Sequence, residues 1–302
     1  MYVPFVFQLV STLGISYTTS WGPVPHSVIP LSAAQLASFA PYTQFARATY
    51  CGSEALKNWS CGEACDAVPD FEPTLVGGDG DDVQYFFVGY WPFEDAIVVG
   101  HEGTDPTQLQ AVLTDVDALH DNLDPDLFPG VPSNVHVHGG FRDAQASTAI
   151  EILAAVQSLI KSKGTSNLVV VGHSLGGALA ELDGLFFALN IPSASIKVIT
   201  YGTPRVGNLA FAELIDSKVP NFKRINNERD LIPILPGRHL GYVHLATEIH
   251  ILEPGSAVVC PGNDDAIDPE CQIKTVPNIF EGDILDHLGP YEGIYLGTIF
   301  CH

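Results

Sequence analysis

Residues 172–176 read Gly-His-Ser-Leu-Gly, a serine held between glycines. The chemistry that asks for this spacing is nucleophilic attack from a tight turn. In a G-x-S-x-G pattern a strand ends in a serine at strained dihedrals and passes at once into a helix, and larger flanking side chains would strike the backbone. Here the pentapeptide follows Leu168-Val169-Val170-Val171, a buried-strand run, and precedes Gly177-Ala178-Leu179-Ala180, which forms helix. That context makes it a nucleophile elbow. Gly172, His173 and Gly176 shape the turn, Ser174 projects above the strand's carboxyl end, and the N–H of Leu175 stays free at the helix start to donate to an oxyanion. The bland alternative is a turn serine in an ordinary α/β core.

A serine hydroxyl is a weak nucleophile at neutral pH; it needs a base, and the base needs an orienting acid. On strand–turn–helix scaffolds the chain order is serine, acid, histidine. Asp183 lies on the helix leaving the serine and should point away. Asp264, Asp265 and Asp268 form an acidic loop between two cysteines and read as solvated. Asp230 follows a strand through Asn226-Asn227-Glu228-Arg229 and falls at a strand carboxyl end, where such sheets hold ligands. It is the favoured acid. Among the later histidines, His244 and His250 sit six apart on one expected strand, sharing a face. They lack a third metal ligand and read as packed side chains. His287, in the loop Asp286-His287-Leu288-Gly289-Pro290, can reach back to the serine, but the residue pattern leaves His244 in contention.

Those side chains need a frame. Hydrophobic periodicity predicts strands at residues 83–90, 96–99, 135–137, 168–171, 196–201 and 222–225, with a longer one at 242–252. It predicts helices at 144–163, 178–189 and 211–217. Strands alternating with helices make an α/β fold, a mostly parallel sheet flanked by helices, with the two early consecutive strands as an antiparallel edge. Ser32-Ala33-Ala34-Gln35 has capping-box spacing for an early helix, which Pro41 should kink or restart. Residues 51–82, rich in Cys, Pro, Gly and Asp, read as loop. The acidic run at 77–82 lacks the spaced ligands of a calcium loop and reads as a solvated turn.

The 302 residues are 46% hydrophobic and contain no long linker, charge block or repeat, which fits one domain over residues 21–302. Asp and Glu outnumber Lys and Arg by 35 to 13, for a net charge of −22. Such a surface repels phosphate backbones and anionic lipid, which argues against nucleic-acid binding and polybasic membrane docking. Residues 1–20 are apolar, too short and interrupted for a membrane span, and read as a signal peptide without a basic start; the alternative is an apolar arm on the domain. Six cysteines without a C-x-x-C fit an oxidising compartment, and spacing alone leaves their pairing open. Asn58-Trp59-Ser60 is a glycosylation sequon. The expectation is a secreted, extracellular, monomeric glycoprotein.

Four segments in order carry a resemblance: GHSLGGALA at 172–180, TYGTPRVGN at 200–208, ERDLIPILP at 228–236 and DHLGPYEG at 286–293. Together they resemble the fungal class 3 lipases, secreted triacylglycerol lipases of α/β-hydrolase-like fold, over most of the chain from Ser32 onward. The resemblance implies a triad of Ser174, Asp230 and His287. It implies a second oxyanion donor in the turn Gly103-Thr104, the main-chain N–H of Thr104 helped by its hydroxyl. One departure is Glu102, where the family commonly carries Arg. It also implies a lid at 106–123, and here Leu109, Val112, Leu113, Val116 and Leu119 fall on one helical face opposite polar Asp115, Asp117 and Asp121. A fixed surface helix is the alternative. Disulfides follow from the resemblance as Cys51–Cys301, Cys61–Cys65 and Cys260–Cys271.

The resulting expectation is a serine carboxylic ester hydrolase that needs no metal or organic cofactor and works through an acyl-enzyme on an ester or lipid substrate. A triacylglycerol lipase is favoured over a feruloyl-type or other carboxylesterase, because the apolar side chains around 109–128 could form a groove. A non-catalytic binding module on the same scaffold is the remaining alternative, and a complete triad argues against it.

Overall fold

Leu168-Val169-Val170-Val171 sends alternate side chains to opposite faces, and all four are buried. The strand that carries them must therefore run through the centre of a sheet covered on both sides. The structure, a computed structural model, describes Met1 and residues 28–104, 120–264 and 267–301. Apart from Met1, the expected signal segment lies outside these residues, and so do Leu109, Val112, Leu113, Val116 and Leu119 of the expected lid.

The strands are β1 (Ile29–Leu31), β2 (Glu72–Gly77), β3 (Phe86–Trp91), β4 (Ala96–His101), β5 (His120–Asn122), β6 (His136–His138), β7 (Asn167–His173), β8 (Ser195–Tyr201), β9 (Gly207–Asn208), β10 (Asn221–Asn227), β11 (Tyr242–Val243), β12 (Glu248–Glu253) and β13 (Ser256–Cys260). The main sheet runs β1-β13-β12-β10-β8-β7-β4-β3-β2. Its centre, β12 through β4, is parallel. Both edges are antiparallel, β2 and β3 on one side and β13 and β1 on the other. A smaller antiparallel sheet, β11-β9-β6-β5, lies apart from it.

The helices are α1 (Ala33–Ala37), α2 (Ala40–Ala48), α3 (Gly52–Asn58), α4 (Glu63–Asp66), α5 (Gly139–Lys163), α6 (Leu175–Asn190), α7 (Leu209–Lys218) and α8 (Gln272–Thr275). On one face Ile152 and Val156 of α5 and Leu182 and Phe186 of α6 pack against Val170 and Val198. On the other, Phe45 and Ala46 of α2 pack against Val98, Val169 and Val171. Ser32 caps α1 with the reciprocal Gln35 contact of a capping box, and α2 restarts with Pro41 in its first turn.

Three expectations differ from what the fold does. Residues 51–82 are not all loop; they hold α3, α4 and β2, organised by aromatic burial. Phe45, Trp59, Phe71 and Phe87 form one cluster, and the indole N–H of Trp59 donates to the Val68 carbonyl at 2.9 Å. The single strand expected at 242–252 is two strands in different sheets. The carboxylates of Asp264 and Asp216 accept the N–H groups of His244 and Ala246 at 3.2 and 3.1 Å, and Thr247 turns at φ 72°, so residues 244–247 leave the ladder. At the end of the expected lid helix, His120–Asn122 pairs with β6 as a strand instead. The disulfides join Cys51 to Cys301, Cys61 to Cys65 and Cys260 to Cys271.

Phe45 is fully buried with ring centroids of Trp59, Phe71, Phe87 and Trp91 between 5.1 and 6.1 Å away. Phe45→Ala should therefore cost about 3–5 kcal/mol of stability, read as a lower urea midpoint; a loss under about 1 kcal/mol would mean that the cluster collapses onto the gap.

Candidate active site

The elbow is built by close approach. A Cβ on Gly172 would stand 2.0 Å from the Gly176 carbonyl oxygen, and one on Gly176 would stand 2.2 Å from the His101 carbonyl oxygen. With no side chain at either position, α6 starts directly against the ends of β7 and β4. Ser174 then takes φ 60° and ψ −127°, a region that side-chain-bearing residues rarely adopt, and its N–H donates to the Tyr201 carbonyl at 2.9 Å. Leu175 is the first residue of α6, so its N–H has no carbonyl one turn earlier to bond.

The helix is held by a second buried contact. His101 Nε2 meets Asp183 Oδ2 at 2.8 Å, and Gln145 donates to Asp183 Oδ1 at 2.8 Å. Asp183 thus ties α6 to β4 and α5 and points away from the serine.

Asp230 lies just past β10, and His287 in the 3-10 turn Asp286–Leu288. Two stitches bring the loops together: the Asp283 N–H donates to the Arg229 carbonyl at 2.7 Å, and Asn227 Nδ2 donates to the Asp286 carbonyl at 2.9 Å. The outcome is His287 Nδ1 at 2.8 Å from Asp230 Oδ2, with both side chains fully buried. Asp230 Oδ1 accepts the Ile232 N–H at 2.8 Å, which orients the carboxylate. Because the carboxylate occupies the Nδ1 side, His287 carries its proton there and offers Nε2 as a base. Among the described residues, His287 Nε2 and Ser174 Oγ are both buried without a hydrogen-bond partner.

The turn Gly103-Thr104 ends the described chain beside this pair. A Cβ on Gly103 would sit 2.9 Å from Ser174 Cβ, so the turn lies against the serine. Gly202, at φ 53°, presents its bare Cα to the histidine–aspartate pair; a Cβ there would meet Asp230 Oδ2 and His287 Nδ1 at 2.8 Å.

The other candidates are committed elsewhere. His244 is buried with Nε2 on the Pro233 carbonyl at 2.8 Å, and His250 faces main-chain carbonyls with both ring nitrogens. They occupy no common strand and form no ligand pair. Asp264 is not solvated: it is buried against Arg205. Burial opposes its charge, but the Arg205 guanidinium prevails and holds the carboxyl well below the usual range. Two groups at the site carried no sequence signal, and a third, Glu102, was marked only as a departure from the family pattern. Tyr50 hydrogen-bonds His173, Tyr291 donates to the His287 carbonyl at 3.2 Å, and Glu102 accepts the Tyr85 N–H at 2.9 Å. Their partners are 123, 4 and 17 residues away, and only the second separation is local. Burial pushes Glu102 up to about 7 against the pull of that Tyr85 bond.

A strained serine on an elbow, a buried histidine–aspartate pair and a parallel sheet covered on both faces define an α/β hydrolase. The sequence pattern of the class 3 lipases matches residues 98–240. A secreted mono- and diacylglycerol lipase of Malassezia globosa is 31% identical over 207 residues, 67% of this chain and 66% of that protein. The structure of lipase II from Rhizopus niveus aligns with a TM-score of 0.77 at 26% identity, covering 90% of this chain and 99% of that one. A triacylglycerol lipase whose catalytic centre is formed by a serine protease triad gives 0.76 at 27% identity, over 90% and 99% of the two chains. The chain spans about two thirds of the length of the curated relatives, 66% and 69% for the first two. This chain belongs to the class 3 lipase family and is a serine hydrolase of the ester-cleaving kind.

Glu102 makes the site's stability depend on pH. A carboxyl that holds its proton more tightly in the fold than in the unfolded chain contributes stability that is complete below its ordinary value of 4.5 and is lost as pH rises through about 7. Glu102→Gln, which stays neutral, should flatten the fall in melting temperature across that window. An unchanged slope in a pH series of thermal melts would show that Glu102 ionises at no cost.

Proposed function

We propose that the protein is a secreted acylglycerol lipase in which Ser174, His287 and Asp230 cleave a carboxylic ester through an acyl-enzyme. The observation that carries this reading is the 2.8 Å contact between His287 Nδ1 and Asp230 Oδ2, beside a serine whose buried hydroxyl has no hydrogen-bond partner among the described residues. His287 Nε2 takes the Ser174 proton as Oγ attacks the ester carbonyl. Asp230 holds the imidazole's orientation and stabilises its charged form. The main-chain N–H groups of Leu175 and Thr104, the latter helped by its hydroxyl, receive the tetrahedral oxyanion. His287 then protonates the departing alcohol, and water repeats the sequence on the acyl-enzyme to release the acid. No step calls for a metal or organic cofactor.

The lipid reading has its own support. A cavity of about 690 Å3 lies between the segment after Asp230 and the segment before His287, lined by Ile234, Leu235, Leu240, Ile273, Val276 and Ile279. Arg205, Arg238, His239 and Lys274 line it as well, so its size and apolar side chains suit an acyl chain while its polar side chains face the remainder of the cavity. The lid implied for 106–123 would be the part that precedes the strand His120–Asn122. Secretion is supported by the pairing of all six cysteines, by the relatives named as secreted and by the apolar segment 1–20. Asn58 is exposed at the end of α3, open to glycosylation.

Ser174→Ala should keep the circular dichroism spectrum and lower p-nitrophenyl ester turnover by at least ~1,000-fold; wild-type turnover would end the nucleophile assignment. Ile279→Trp, which fills the cavity, should lower kcat/KM for a decanoate ester about tenfold while sparing an acetate ester. Equal effects on both, or activity confined to short and aromatic esters with no response to an emulsion, would replace the lipase by another carboxylesterase.

A further inference from the structure

His173 sits inside the elbow, next to Ser174, and its ring lies against that of His287 with centroids 4.4 Å apart. Both of its nitrogens are engaged. Nε2 is 2.8 Å from the main-chain carbonyl of His287, and Nδ1 is 2.6 Å from the hydroxyl of Tyr50. A carbonyl oxygen only accepts, so Nε2 carries the proton. Nδ1 then presents a lone pair, and Tyr50 must be the donor to it. The Tyr50 oxygen also lies against the main chain of Gly103. A Cβ on Gly103 would stand 2.3 Å from that oxygen, which shows how tightly the turn is seated on the phenol. Hydrogen bonds thus run from Tyr50 to His173 and from His173 to the His287 carbonyl, with Gly103 of the oxyanion turn packed on the phenol oxygen at the far end.

We propose that Tyr50 and His173 are positioning residues, a buried strut that locks the oxyanion turn to the backbone of the catalytic histidine. The inference rests on the proposed triad and goes beyond it, because neither residue touches the reacting atoms. The strut explains two features. It sets the distance between the turn that receives the oxyanion and the base that moves the proton, two elements joined by no direct main-chain bond among the described residues. It fixes the tautomer of His173. That ring stays uncharged because burial first, and then the charge that His287 takes up, hold His173 well below the ordinary histidine range, against the pull of its bond to the His287 carbonyl. A charged imidazole stacked on His287 would oppose the protonation of His287 on which each half-reaction depends. Tyr50 is suited to the donor role because burial first, and then nearby Glu102, raise its pKa and keep the phenol protonated. Tyr291 adds a second donor to the same His287 carbonyl, but it comes from the histidine's own loop and does not reach the oxyanion turn.

The test uses the full chain, nitrogen-15-labelled at histidine, and kinetics on soluble p-nitrophenyl butyrate. In the wild type, the His173 resonances, assigned by their loss in His173→Leu and so told apart from those of His244, should show a neutral ring with its proton on Nε2, unchanged across the pH range where ordinary histidines titrate, and Tyr50→Phe should shift its Nδ1 resonance. The Phe ring keeps the packing against His173, so the fold should survive. Tyr50→Phe should lower kcat about tenfold with KM within about twofold. His173→Leu should lose at least as much, and the double variant should lose little more than His173→Leu alone, because the two act as one unit. His173→Gln, whose amide places a donor near the Nε2 position, should recover most of the loss. The strut is overturned if the proton lies on Nδ1, if that histidine titrates normally, if Tyr50→Phe keeps wild-type kcat, or if the two losses multiply in full. The triad is tested separately: wild-type turnover by Ser174→Ala removes the triad, while the tautomer still reports on the hydrogen bonds of His173.

Discussion

Everything at the site depends on how closely the first turn of α6 approaches the ends of β7 and β4. That approach leaves no room for a side chain at Gly172 or Gly176. It forces Ser174 into a backbone region that costs on the order of 1–3 kcal/mol. The surrounding core offsets the strain: Val170 and Val198 are buried under α5 and α6, and Val169 and Val171 under α2. Asp183, buried between His101 and Gln145, pins the helix laterally. Once the helix is pinned, the serine hydroxyl, the Leu175 N–H and the His173 ring are positioned by one turn.

The protein carries a net charge of −22, yet its interior treats charge selectively. Asp230 is stabilised by direct bonds to His287 and the Ile232 N–H, and Asp264 by Arg205. Glu102 and Glu181 lack a comparable partner. Burial raises the first to about 7 and the second to about 8, in the latter case against the pull of Arg224. A carboxylate surrounded by donors stays charged in the core, and one without them keeps its proton.

Much of the frame was legible because it depends on near neighbours. The apolar run before Gly172 marks the central strand, the small residues after Ser174 mark α6, and the Ser32-to-Gln35 spacing marks the start of α1. Misreadings occur where distant groups intervene. Asp264 and Asp216 capture the main-chain N–H groups of His244 and Ala246 and split a plausible strand in two. Phe45, from a helix that precedes residues 51–82 in the chain, recruits Trp59 and Phe71 and gives that stretch structure its composition hides.

By itself the sequence determined the elbow, the alternation of strand and helix, and, through motifs in a recognisable order, which acid and which histidine to seek. The elbow and the alternation are consequences of local sterics and periodicity, which operate wherever the segment sits, while the acid and the histidine followed from the resemblance to the class 3 lipases. Only the tertiary structure decided that Asp183 serves as a clasp and that His244 is committed to a carbonyl. The same holds for Tyr50, which reaches across 123 residues to His173. Each of these depends on which groups burial leaves facing one another, and a buried polar atom takes the partner that the packed chain provides, however far away it lies in sequence.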